Sequence, residues 1–559
     1  MNRLGISIVG ALSAVAYMTV AGCSAARTAS IDEHTKDPST LTLFAELALE
    51  HGDCRLAAED YAAAAAHSGA PIAKRASEVG LACEDLPAAW QSAQRWRALA
   101  PADADAATTY AAIALKLYKI PQARAAVATA IAAAGANVDA RVADLTTALL
   151  EEAEAPAVLA VMSTAIGTNA SAETLTVLAA LALDAYDSAQ AARYAHQALE
   201  KKPDLAAAIR VLARVAVMQG DAPEAISQAH AVTEADPKTG RFELAEVLVT
   251  LGRREEAREE LERLHAAGGS TATEAEQRLA ILAFDAGDLA EAQRRFTDLA
   301  ARGDVGEGVI LYLADIASRD GDKAAALAGY RQLENSALGL TARTRAAALL
   351  IASDRAAAFA LLDDYAVAHP EQSFQLTITK AHLLADHDES DAAVALIDAA
   401  LEVHPRHPVL EYELSVLLER AGKVRDSVVM LERMIAERPE DSNLLNALGY
   451  TLADHGLELP RAERLIRQAL AITPDNPAVL DSLGWVRFKR GDVRGAVPIL
   501  QRAFAIGQDA DIAAHLGEAL WRSGDEAQAR KVWAAALARD PSAALLKSTL
   551  TRLLPPVAS

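Results

Sequence analysis

The sequence predicts an all-α solenoid built from repeated helix pairs, on three observations. The first is a period. Gly220, Gly252, Gly287 and Gly321 are followed by Gly422, Gly456, Gly491 and Gly524, at steps of 32, 35 and 34 residues, then 34, 35 and 33. The gap of 101 residues between the two runs is three more periods of about 34. The second is what stands at fixed offsets from each glycine, set out below. The third is composition: hydrophobic residues make up 52% of the chain but aromatics only 4%, and no sustained alternation of Val, Ile and Thr suggests a strand. A chain of 559 residues would ordinarily hold three or four domains. A solenoid instead lengthens unit by unit, without a new core.

The unit is legible around each glycine. Five residues on stands a small side chain: Ala225, Ala257, Ala292, Ala326, Ser427, Ala496 or Ala529. Nine residues on there is usually a large one: Leu261, Phe296, Tyr330, Leu431, Leu500 or Trp533. Prolines 203, 237, 405, 439, 474 and 541 fall near multiples of the period. Glycine ends a helix by adopting positive φ without steric cost. The small residue lets the second helix approach the first, and the large one fills the space between them. Proline ends the second helix and opens the next unit. Each unit is therefore two antiparallel helices of about a dozen residues.

The first unit keeps the offsets in Gly52, Ala57, Tyr61 and Ala64. Residues 104–200 are the poorest stretch, alanine-rich with few landmarks, and units are assigned there by phase alone. The last units are the clearest. Leu448-Gly449-Tyr450, Leu483-Gly484-Trp485 and Leu516-Gly517-Glu518 stand 35 and 33 residues apart, each in a first helix. This pattern resembles the tetratricopeptide repeat, with its Leu-Gly in helix A, small residue in helix B and terminal proline. The resemblance covers residues 38–541. It implies a right-handed superhelical solenoid of about fifteen helix pairs. Residues 542–559, beginning Ala543-Ala544-Leu545-Leu546, read as a helix capping the open end.

Residues 1–22 are a separate segment: Arg3, then an apolar run from Leu4 to Val20, closing in Val20-Ala21-Gly22-Cys23. A plain secretory signal needs no cysteine there. The tetrapeptide resembles the bacterial lipoprotein box, which implies a signal peptide over 1–22 and lipidation of Cys23. The competing reading is an uncleaved membrane helix, for which the run is marginally long. Ser24 follows the cysteine, where inner-membrane lipoproteins usually carry aspartate. The resemblance therefore implies the outer membrane of a diderm bacterium, facing the periplasm. Residues 23–37 are small and polar and read as a tether. Cys54 and Cys83, at corresponding turns of the first two units, are either a bridge suited to an oxidising compartment or two free thiols.

The formal net charge is −22. Residues 401–559 hold 20 basic and 21 acidic side chains out of 54 and 76, so the excess acid lies upstream. Such a chain lacks the basic stripe that nucleic acid requires. The acid is either solvated helix surface or a groove for basic partners.

No catalytic, cofactor-binding or metal motif stands out: there is no His-Glu-x-x-His, phosphate loop, Gly-x-Ser-x-Gly or Cys-x-x-Cys. His404 and His407, and His382 and His387, lack metal-ligand spacing and read as solvated turns. The expectation is a protein that is not an enzyme and needs no cofactor. The resemblance implies instead a partner groove on the first helices. Its positions are Asn446, Tyr450, Asp481, Trp485, Phe488, Lys489, Trp521 and Arg522. The rings are either anchors for a protein or peptide or inter-helix packing. The function implied is a scaffold in envelope assembly or export, serving outer-membrane proteins, pili or polysaccharide. The alternative is a periplasmic adaptor organising cell-wall enzymes.

Overall fold

The computed structural model describes residues 37–554, except positions 52, 136, 168–169, 304–305, 370–371, 508 and 541–542. The signal segment, Cys23, the tether up to residue 36, Gly52 and Pro541 lie outside the described residues. Among those described are 31 helices and no strand: fifteen antiparallel pairs and a final single helix, Ala544–Leu553. The protein is an all-α superhelical array of tetratricopeptide-like helix pairs.

The chain divides into two compact units, Met1–Leu99 and Ala100–Ser559. The first holds Pro38–Glu50, Cys54–Ala66, Ala70–Ala82 and Leu86–Leu99. Alanine dominates its interior, with Tyr61 and Trp96 as the large buried rings. Small residues allow close approach: a Cβ on Gly80 would stand 2.6 Å from the backbone nitrogen of Ala89. Cys54 opens the second helix and Cys83 caps the third, and the two are joined in a disulfide with Cα atoms 5.4 Å apart.

In the second unit the repeat has a physical explanation at each landmark. All eight periodic glycines have positive φ, from 66° at Gly456 to 96° at Gly524. The residue after each glycine donates its N–H back into the helix just ended, as Asp221 does to the Ala216 carbonyl at 2.8 Å and Asp525 to that of Leu520 at 3.0 Å. This satisfies carbonyls that the helix leaves open. Asp221, Asp288, Asp322 and Asp525 then cap the following helix with their side chains. A Gly-Asp pair thus ends one helix and starts the next. The small residues five positions on are fully buried, and so are the large ones nine positions on. Glycine of the Leu-Gly pair is required by close approach: a Cβ on Gly484 would come within 2.5 Å of Leu500, and one on Gly517 within 1.9 Å of the Trp533 ring.

The stretch 104–200 is as regular as the rest, with helices Ala104–Lys116, Ile120–Ala132, Val138–Leu150, Ala155–Ala165, Ala172–Asp184 and Ser188–Lys201. At two of its turns tyrosine replaces glycine: Tyr118 and Tyr186 both have φ of 54°. The hydrogen bonds of the turn persist, from Lys119 N–H to Ala114 and from Asp187 N–H to Ala182. Five residues on, Ala123 and Ala191 are fully buried as elsewhere. Nine residues on stand Val127 and Ala195, also fully buried. Here smaller side chains fill the position that large ones take in the later repeats. Pro498 is a departure of another kind, lying inside Val493–Gly507 rather than at a helix boundary.

Candidate partner-binding face

The predicted groove residues sit on three successive first helices: Ser442–Asp454, Pro477–Lys489 and Ala510–Ser523. One period brings equivalent positions of these helices side by side. Trp485 is the hub. Its indole N–H donates to Asp454 Oδ1 at 2.9 Å, and its ring stacks on Phe488 at 5.0 Å and on His515 at 4.1 Å. The Lys489 ammonium lies 5.0 Å over the same ring and 3.5 Å from Asp454. His515 Nδ1 pairs with Asp481 Oδ2 at 2.7 Å, and Tyr450 lies 6.1 Å from the His515 ring. Three repeats are thereby tied together by polar side chains as well as by apolar packing.

Trp485 is only 6% exposed, which favours the inter-helix packing reading of that ring over the anchor reading. Its indole nitrogen is satisfied internally, and burial between Phe488 and His515 accounts for the rest of the ring. Trp521 is half-buried, 5.8 Å from Trp533, with the Arg530 guanidinium 5.0 Å over it. Arg522 is exposed, and Phe488, Lys489, Asn446 and Tyr450 are half-buried. Glu518, next along from Gly517, is buried under the final helix, where Arg552 holds both its oxygens at 2.7 and 2.5 Å. The final helix therefore covers that end of the face.

His515 went unread in the sequence because it falls outside the offsets used to trace the groove. Burial works against its charge, but Asp481, with Asp454 and Asp511 behind it, prevails and holds the imidazole above its ordinary pKa. The Tyr450 hydroxyl is pushed well up, first by burial and then by Asp454, Asp481, Glu419 and Asp511. Two buried oxygens on this face, Asn446 Oδ1 and Asp481 Oδ1, have no hydrogen-bond partner. They occupy the same repeat position, three residues before Gly449 and Gly484. A buried acceptor without a donor is costly.

The histidines read as solvated turns divide. His407 is buried, 4.4 Å from the Phe374 ring, because it caps the helix Pro408–Arg420 at a packed junction, which corrects the solvated reading for that residue. His382 is held above its ordinary pKa by a 2.8 Å contact with Glu413. Among the described residues no group of three or more His, Cys, Asp or Glu side chains could hold a metal ion. No described helix is long and apolar enough to cross a membrane.

The tetratricopeptide repeat family matches residues 210–272 and 482–544. The chain carries tetratricopeptide repeats. It is 33% identical over 207 residues to a TPR repeat-containing protein of Pseudomonas aeruginosa, a match covering 37% of this chain and 35% of that protein. The chain thus spans about a third of that relative's length. Among solved structures it is similar to yeast Tom70, at 14% identity over 74% of this chain and 94% of that one, with a TM-score of 0.35. It is also similar to a TPR protein of Thermus thermophilus, at 21% identity over 32% of this chain and 98% of that one, with a TM-score of 0.30. Proteins of these repeats bind protein or peptide partners, and scaffolds built from them are generally non-catalytic.

Proposed function

We propose that this protein is a non-catalytic scaffold, held to the outer membrane by a lipid on Cys23, that binds protein partners in the periplasm during envelope assembly or export. The binding reading rests on one observation: Asn446 Oδ1 and Asp481 Oδ1 are buried acceptors without donors at one repeat position of neighbouring first helices. A partner that supplies donors at this face offsets that cost. Tyr450, beside four carboxylates, favours a segment carrying basic side chains. The location rests on the Val20-Ala21-Gly22-Cys23 box, and a Cys54–Cys83 disulfide fits an oxidising compartment.

A photo-crosslinking residue at Tyr450 tests the binding reading when compared with one at Val429, which is exposed on a second helix. Specific adducts from position 450 and none from 429 support it. Equal capture from both positions refutes it. Palmitate labelling of the wild type but not of Cys23→Ala is expected, and equal labelling of both excludes the anchor.

A further inference from the structure

Within the second unit, residues more than eight repeats apart are in direct contact. The backbone N–H of Asp475 donates to the Tyr186 carbonyl at 2.8 Å. In return the Asp475 carboxylate accepts the Ser188 N–H at 2.9 Å, across 287 residues of sequence. That N–H opens the helix Ser188–Lys201 and has no partner inside it, so Asp475 serves as a helix cap supplied from a distant repeat. Arg502 pairs with the other carboxylate oxygen, and Asp475 is only 2% exposed.

The contact is not isolated. One repeat earlier on the Asp475 side and two repeats earlier on the Tyr186 side, the Arg438 guanidinium lies 4.8 Å over the Tyr118 ring, while Asp441 hydrogen-bonds the Tyr118 hydroxyl and pairs with Arg438 at 3.3 Å. Further along, helix Ala206–Gln219 meets helix Val493–Gly507. The contacts run in the same chain direction on both sides: turns 118 and 186, two repeats apart, meet the junctions at 438–441 and 473–475, one repeat apart, and a helix beyond the first meets a helix beyond the second. The turns that dock are those where tyrosine holds a backbone conformation that glycine adopts elsewhere in the array. A side chain with a Cβ disfavours that conformation. At Tyr118 the side chain itself makes the distant contact.

We propose that this seam is a clasp that locks two successive turns of the solenoid to one another, so that the second unit is a closed body of fixed pitch rather than an extensible spring. A solenoid whose repeats touch only their neighbours flexes along its axis, because each interface adds its own small freedom. Bonds that bridge more than eight repeats remove that freedom from all of them. The proposal does not depend on what the first-helix face binds.

The test uses the full chain with Asp475→Ala. Helicity should be retained, the radius of gyration by small-angle scattering should rise, and the Ser188 amide should exchange with solvent about tenfold faster or more. A folded variant with unchanged scattering and unchanged Ser188 exchange overturns the clasp. Should Asp475→Ala fail to fold, the pair Ser188→Cys and Asp475→Cys decides. Mild oxidation should join the two positions, as mapped by mass spectrometry, at the wild-type radius of gyration. No crosslink between reactive thiols overturns the proposal. A sign test is independent of both. Tyr118→Gly should lower the melting temperature, because the docked ring is lost, whereas Glu84→Gly, at the equivalent φ of 54° in the first unit, should hold or raise it. A rise in both variants overturns the clasp.

Discussion

The repeats at 442–539 and those at 104–201 share one backbone design and differ in how they fill it. Both turn through a residue of positive φ followed by an N–H returned to the helix just ended, from Asp492 to Arg487 in one region and from Lys119 to Ala114 in the other. Both bury a small residue five positions on, Ala496 or Ala123. The late repeats then insert Leu500 and Trp533 between their helices, whereas the early ones place Val127 and Ala195 there. The repeat is thus a hydrogen-bonding and spacing requirement, and large landmark residues are one way of meeting it. The alanine-rich repeats meet it with smaller side chains, which are buried as fully as the large ones.

The sharpest way to break this comparison is at the filling position. Trp533→Ala should destabilise the last repeats by about 3–5 kcal/mol, because a buried ring leaves a cavity that rigid neighbours do not close. A smaller loss on thermal or urea unfolding would mean that these repeats are as pliable as the alanine-rich ones. The disulfide offers a comparison with the first unit, whose interior is also alanine-rich. Cys54→Ser with Cys83→Ser should cost about 3–4 kcal/mol by freeing a loop of 29 residues, read as a lower melting point of the first unit. The reverse experiment on filling is Ala195→Leu, which should cost about 1–3 kcal/mol through overpacking. A neutral melt there would show space that the close-packed reading denies.

Acidity separates the two regions in another way. His515 has a folded pKa above its ordinary 6.5, so its contribution is fully present below pH 6.5 and is lost as pH rises through the folded value. The late repeats should therefore lose stability between mildly acid and mildly alkaline pH, and His515→Gln should flatten that dependence. Residues 104–201 contain one histidine, His196, which is exposed, and amide exchange there should not follow the same curve. The smallest expected effect lies at the turn. Lys119 opens its helix without a side-chain cap, whereas most of the Gly-Asp turns supply one. Lys119→Asp should add about 0.5–1 kcal/mol, read as a small rise in melting temperature.

The register of the first-helix positions was legible, because three residues before and one after each Leu-Gly glycine must recur on one helix face. It placed Asn446 beside Asp481 and Tyr450 beside Trp485 in equivalent positions. Whether a given ring is open or packed was not legible. That depends on what the next helix presents, and Trp485 is closed by His515, a residue outside the traced offsets. The 104–200 repeats were blurred for a related reason. Glycine is the visible sign of positive φ, and Tyr118 and Tyr186 hold that conformation without displaying it.

By itself the sequence determined the helix pair, its period, its turns and the class of the array. Each of these follows from interactions within about 34 residues, where glycine, aspartate, alanine and proline act directly on the local chain. Only the tertiary structure decided that Asp475 caps a helix 287 residues away and that Arg438 covers Tyr118. Small rotations between neighbouring pairs accumulate over many repeats before such residues meet. No single interval of sequence carries that sum.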